Sequence, residues 1–133
     1  MHPQLFSRLG RYALRTVAIV ASCDTRITGK DLAEQTGVPS AYQAKVLRKL
    51  VEAQILDSKK GHHGGFALAP QPGSISLAEV LAAVGALPTE GECVFDWGQC
   101  ASNNPCPLHD YWKELSDQTL GWAKKTSLDV FND

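Results

Sequence analysis

The chain has 133 residues, 44% apolar and 20% charged, the balance of a soluble globular domain rather than of a disordered chain. Its longest apolar run, Val17–Ala21, is five residues, far short of the about 20 that a membrane-spanning helix needs. The net charge of −1 hides an asymmetry: residues 1–65 carry ten Lys/Arg against five Asp/Glu, and residues 66–133 carry three against nine, so a basic functional surface is expected on the N-terminal half.

The opening Met1-His2-Pro3-Gln4 lacks the basic stretch and apolar core of a signal peptide, so a cytoplasmic protein is expected. Residues 5–22 place Leu5, Phe6, Leu9, Tyr12, Ala13 and Val17 on one helical face and Arg8, Arg11 and Arg15 on another. Cys23-Asp24-Thr25-Arg26 ends that helix. Thr28 is a good N-cap, Asp31 suits the first turn, and Gly37 is a natural stop, which gives a short helix of two turns. A third helix starts at Pro39-Ser40, with Val46, Leu47, Leu50 and Val51 inward and Lys45, Arg48, Lys49 and Glu52 outward. Two β-capable runs, 55–59 and 66–69, flank Lys60-Gly61-His62-His63-Gly64-Gly65 and read as a hairpin with a loose tip. Ser76 with Glu79 is a capping box that opens a helix ending at Gly85. Residues 86–107, rich in Gly, Pro and Cys, read as a loop. From Leu108 to about Ser127 the pattern is again helical, with Leu108, Leu115 and Trp122 seven apart on one face.

Helix, short helix, turn, helix and glycine-tipped hairpin is the order of a winged helix-turn-helix: a mainly α fold with a small β-hairpin wing and a long last helix. The turn Thr36-Gly37-Val38-Pro39 carries the glycine that such corners often use. The third helix is then the one that enters the DNA major groove, its first turns toward base edges. Ser40, Tyr42 and Gln43 occupy those turns, and a glutamine can pair with adenine through two hydrogen bonds. Lys45, Arg48 and Lys49 are the expected phosphate contacts. Lys59, Lys60, His62, His63 and Gly64 at the hairpin tip are expected to reach the adjacent backbone or minor groove. No triad of nucleophile and base, phosphate-cradling loop or paired carboxylates stands out, so an enzyme is not expected.

Four cysteines are present, three of them (Cys93, Cys100 and Cys106) within 14 residues. In a reducing compartment such clustering points to metal binding or redox chemistry rather than to disulfides. Three thiolates on a loop without fixed backbone geometry can wrap an iron–sulfur cluster, and a labile fourth ligand would suit a sensor. His109, three residues after Cys106, is the candidate fourth ligand, with Glu90, Glu92 and Asp96 also in reach. Zinc is a poorer fit, because structural zinc sites use closer cysteine pairs. Plain or redox-active thiols without a cofactor remain open. Cys23, at the end of an apolar helix, reads as a small core residue.

Tyr12-Ala13-Leu14-Arg15, Leu47-Arg48-Lys49-Leu50 and Gly64-Gly65-Phe66-Ala67-Leu68-Ala69, followed by Ile75-Ser76-Leu77-Ala78-Glu79-Val80, resemble the IscR/NsrR/CymR family of bacterial winged-helix regulators. The resemblance runs from Leu5 to about Leu120. It implies a homodimer on a roughly palindromic double-stranded DNA operator, paired through the last helix. It divides the chain into a DNA-binding domain 1–85, a cluster loop 86–107, and a dimerisation helix and tail 108–133. The cluster-binding branch carries three cysteines at nearly the spacing seen here, with a histidine ligand in the IscR-like members, which implies Cys93, Cys100, Cys106 and His109 around a cluster, [2Fe–2S] ahead of [4Fe–4S]. The implied function is operator binding controlled by iron, nitric oxide or redox state. The CymR-like alternative is a cofactor-free regulator acting through a partner protein or thiol oxidation. Two departures stand out. Family wings commonly read Arg-Gly-Pro-Gly-Gly-Gly where this tip reads Lys60-Gly61-His62-His63-Gly64-Gly65, and the adjacent histidines make pH-sensitive binding an expectation. The recognition-helix acid that helps select operators in cluster-building members aligns near Ala44, so the operator class does not carry over.

Overall fold

The computed structural model describes residues 7–87 and 107–132. Leu5, Phe6, Cys93, Cys100 and Cys106 lie outside the described residues. Among the described residues five helices and one hairpin follow in order: α1 (Arg8–Ser22), α2 (Gly29–Thr36), α3 (Ser40–Glu52), β1 (Leu56–Lys59), β2 (Gly65–Leu68), α4 (Leu77–Ala83) and α5 (His109–Lys125), with short 3₁₀ turns at Pro72–Ser74 and Leu128–Asn132.

The local signals act where the sequence puts them. Ser7 caps α1 by accepting from Gly10 N–H, and Thr28 caps α2 by accepting from Asp31 N–H. Gly37 ends α2 in the left-handed conformation, φ 73°. The helix-turn-helix corner is therefore set by a cap at one end of α2 and a glycine at the other. α3 starts at Ser40 after Pro39, with no side-chain cap. The reciprocal capping box of Ser76 and Glu79 opens α4.

Strands β1 and β2 pair antiparallel, Leu56 opposite Leu68 and Lys59 opposite Gly65. Ile27, just before α2, adds a bridge to Phe66: Ile27 N–H donates to the Phe66 carbonyl at 3.1 Å and Phe66 N–H to Ile27 at 2.7 Å. That bridge ties the wing to the start of the helix-turn-helix. It also dictates a glycine at position 65, because φ there is 124° and an added Cβ would lie 2.6 Å from the Ile27 carbonyl oxygen.

One core holds these pieces. Ala13, Val17 and Val20 of α1 meet Leu32, Val46, Leu47 and Leu50 of the helix-turn-helix and Leu77, Val80 and Leu81 of α4. Ala123 and Leu128 are fully buried in the same core. The last helix thus belongs to the core at its C-terminal end. It ends at Lys125, two residues before the expected Ser127, because the following strand of backbone is used differently. Leu77 N–H donates to the Thr126 carbonyl at 2.8 Å and Leu128 N–H to the Ile75 carbonyl at 2.9 Å, which ties the tail to the entry of α4. No helix among the described residues is long and apolar enough to cross a membrane.

Candidate nucleic-acid interface

The exposed cations of the basic half include Lys45 and Arg48 of α3, Lys59 and Lys60 of the wing, and Arg8 at the start of α1. Ser40, Tyr42, Lys45 and Arg48 are exposed along α3, and Lys49 is half-buried. Arg48 is close to Glu52 one turn on, N···O 4.0 Å, with both side chains two-thirds exposed. Such a pair is worth little and leaves the guanidinium available.

Gln43 does not face outward. It is 2% exposed, and both ends of its amide are taken. Its Nε2 donates to Thr16 Oγ1 on α1 at 3.0 Å, and its Oε1 lies 2.9 Å from the Thr36 hydroxyl at the end of α2. The Thr16 hydroxyl in turn donates to the Tyr12 carbonyl at 2.8 Å, and Thr36 Oγ1 accepts from Val38 N–H at 3.2 Å. The expectation that Gln43 pairs with adenine is corrected by this relay. A buried amide must find partners, and here it finds them across three helices. Periodicity already hints at this, since Gln43 lies three and four residues before the inward Val46 and Leu47.

Tyr42 reaches sideways rather than straight out. Its ring packs edge-on against Tyr12 of α1, with centroids 5.5 Å apart and planes at 64°. Arg8 lies over the Tyr42 ring at 5.9 Å and Arg15 over Tyr12 at 5.7 Å. Arg15 also reaches the Thr36 carbonyl at 3.4 Å. Two arginines of α1 therefore join the flank of the recognition helix. They lie outside α3 and the wing, and their signal in the sequence is the placing of Arg8 four residues before Tyr12 and of Arg15 three residues after it.

At the wing, Lys59, Lys60, His62 and His63 are exposed at the tip, and the two imidazole rings stand 4.1 Å apart at 61°. Gly64 sits inside the turn: its N–H donates to the Gly61 carbonyl at 3.0 Å, and an added Cβ would lie 2.3 Å from the Lys59 carbonyl oxygen. Its place is in closing the tip. Arg26, which nothing in the sequence singled out, holds both strands. Its guanidinium donates to the Asp57 carbonyl at 3.2 Å and the Gly65 carbonyl at 3.1 Å and pairs with the Asp57 carboxylate. Between α2, α3 and the wing runs an open groove of about 720 Å³, lined mainly by Ala33, Ala44, Leu47, Val51 and Phe66.

His109 is the first residue of α5 and is half-buried. Among the described residues no group of three or more His, Cys, Asp or Glu side chains is placed to hold a metal ion. On the outer face of α5, Leu108, Tyr111, Leu115 and Trp122 are exposed, Tyr111 to 75%.

Residues 6–132 match the Rrf2 family, described as iron-dependent transcriptional regulators. The chain belongs to the Rrf2 family. An HTH-type transcriptional regulator of Aquifex aeolicus is 30% identical over 132 residues, covering 96% of this chain and 92% of that protein. The regulator IscR of an Enterobacter species is 29% identical over 121 residues, covering 90% of this chain and 74% of that one. Among solved structures, CymR of B. subtilis, titled the global cysteine regulator, superposes with a TM-score of 0.76 at 18% identity over the whole of both chains. T. potens IscR gives 0.70 at 20% identity, covering 92% of this chain and 81% of that one. The expected family and the winged helix-turn-helix fold are thus both found. This Rrf2 protein is a DNA-binding transcription regulator and not an enzyme.

Proposed function

We propose that this Rrf2 protein is a homodimeric regulator whose operator affinity depends on an iron–sulfur cluster held by Cys93, Cys100, Cys106 and His109. The donor set fits the group: three thiolates and one imidazole are soft and borderline ligands suited to iron, and the imidazole makes the set labile. Such a cluster would supply sensitivity to iron, nitric oxide or redox state. The observation that carries the reading is the position of His109, half-buried as the first residue of α5 and three residues after Cys106. The family's description as iron-dependent supports it.

The chain's own part in the switch is mechanical. Residues 1–85 form the DNA-binding part, 86–107 the cysteine-bearing segment, and 108–133 the pairing helix and tail. The cysteine segment connects α4 to α5, two helices that pack on each other. A change in how that segment is held bears on the helix that pairs subunits and on the domain that meets DNA. Only a difference in operator affinity between the two forms makes this a switch. In the dimer, the apolar face of α5 meets its copy across a two-fold axis, and the recognition helices lie about 34 Å apart, one DNA turn. Ser40, Lys45, Arg48, Lys49, Lys59, His62 and His63 are the side chains proposed at the DNA surface, with Arg8 and Arg15 beside them.

The test is anaerobic purification followed by a visible spectrum and iron and sulfide analysis. Equal iron and sulfide, with thiolate-to-iron absorption lost in Cys93→Ala, Cys100→Ala or Cys106→Ala, is the expected result. A colourless protein that also resists reconstitution overturns the cluster and leaves the cofactor-free regulator acting through a partner protein or thiol oxidation.

A further inference from the structure

The first turns of α3 offer DNA a narrow chemistry. The helix buries Gln43, Val46, Leu47 and Leu50 and exposes Ala41, Ala44 and Lys45 on the opposite side. The one amide in these turns is held inside by Thr16 and Thr36, and the Tyr42 ring is engaged by Tyr12 and Arg8. What remains at the centre of the outward face is two methyl groups and one ammonium, with the Ser40 hydroxyl at the edge. Ala44 also opens onto the apolar groove beside the wing.

The major-groove code assigns partners to these groups. Adenine is read by an amide that both donates and accepts, and the cytosine amino group by a carboxylate; neither is available here. A methyl side chain fits the thymine methyl, and a lysine donates to guanine O6 and N7. A serine hydroxyl serves any base and selects none. We propose that this protein reads thymine methyls with Ala41 and Ala44 and an adjacent guanine with Lys45, while Gln43 is a positioning residue that fixes how α3 is presented. The inference rests on α3 being the helix that enters the groove. It gives the Gln43 relay a purpose, since methyl contacts carry no direction and discriminate only if the helix is held at one depth and tilt.

The experiment starts with the full-length protein and a pool of randomised duplex DNA. The enriched half-site is expected to contain thymines next to a guanine. Each thymine is then replaced singly by deoxyuridine, which removes the methyl and keeps base pairing. Loss of one methyl contact is expected to weaken binding about fourfold at the thymines facing Ala41 and Ala44, with no change elsewhere. Selection with Ala44→Gln is expected to exchange one thymine for adenine. Selection with Gln43→Met is expected to return the wild-type bases at every position, at lower affinity. A uracil series without effect, or a folded Gln43→Met that selects a different base, overturns the proposal. If Gln43→Met does not fold, the uracil series with the wild-type protein decides. A pool that enriches no sequence overturns the reading of α3 itself; an enriched motif insensitive to uracil overturns only the base assignment.

Discussion

The two long surface helices with work to do, α3 and α5, are built on opposite plans. α3 buries a full stripe, Gln43, Val46, Leu47 and Leu50, and shows solvent small and cationic side chains. α5 is longer, yet Ala123 is its only buried residue, while Leu108 at its start, Tyr111, Leu115 and Trp122 are exposed large apolar groups. A helix anchored on one side and charged on the other is finished as a monomer and awaits a polyanion. A helix that leaves its apolar face outside awaits an apolar partner, and a second copy supplies one by symmetry. The difference separates the proposed DNA-reading surface from the proposed pairing surface before any partner is present.

The largest effect is expected at the wing. Gly65→Ala forces a side chain into positive φ and against the Ile27 carbonyl, at a cost of about 3 kcal/mol. Thermal unfolding should show this, and any surviving folded protein should bind DNA more weakly while its dimer constant is unchanged. Next is Leu115→Glu, which places a charge in the proposed dimer face. The expected loss is at least about 2 kcal/mol of dimerisation free energy, read by sedimentation equilibrium. Because Leu115 is 46% exposed, little of the monomer's packing goes with it. A variant that stays dimeric at wild-type strength would move the interface elsewhere.

Gln43→Ala sharpens the comparison from inside α3. It removes one partner from each of the Thr16 and Thr36 hydroxyls, which keep the Tyr12 and Leu32 carbonyls as acceptors, and opens a small cavity, so a loss of about 2 kcal/mol in a urea titration is expected, most of it from the cavity. An exposed glutamine would instead cost almost nothing, which makes the measurement decisive on its burial. Arg26→Ala removes the clasp on both wing strands; its side chain is 27% exposed and its partner more so, which holds the expected cost to about 1 kcal/mol. Hydrogen exchange in β1 and β2 should rise before that of α1 does. The smallest effect on the fold is expected from Arg48→Ala. Stability should move by less than about 0.5 kcal/mol, while the slope of log affinity against log salt falls by about 0.9 for the lost phosphate contact. The same change at Lys124 on α5 should leave the slope alone.

Much of the molecule was legible in the chain because its devices are local. Thr28, Gly37 and the Ser76–Glu79 box act over three or four residues, so spacing alone placed α2 and α4. The hairpin followed from two short β-capable runs around a glycine cluster, although its second strand begins one residue earlier than the pattern implied. The site was less legible. The exposed cations of α3 and the wing follow from charge and period. Gln43 has a residue type suited to base contact but a helical phase that turns it inward with Val46 and Leu47. Arg8 and Arg26 gained their places through neighbours more than 30 residues away in sequence, and Arg15 through Thr36, 21 residues away, as well as through Tyr12 on its own helix.

The sequence by itself determined which segments are helical, where the wing turns and which half is basic, since caps, periodicity and charge are written in neighbouring residues. Tertiary structure decided what those elements present. It drew Gln43 inward because a buried amide needs partners that only α1 and α2 could supply. It brought Leu128 back into the core because the backbone beside α4 needed hydrogen-bond partners that only the tail could reach. Both are requirements of burial, and burial is a property of the assembled chain.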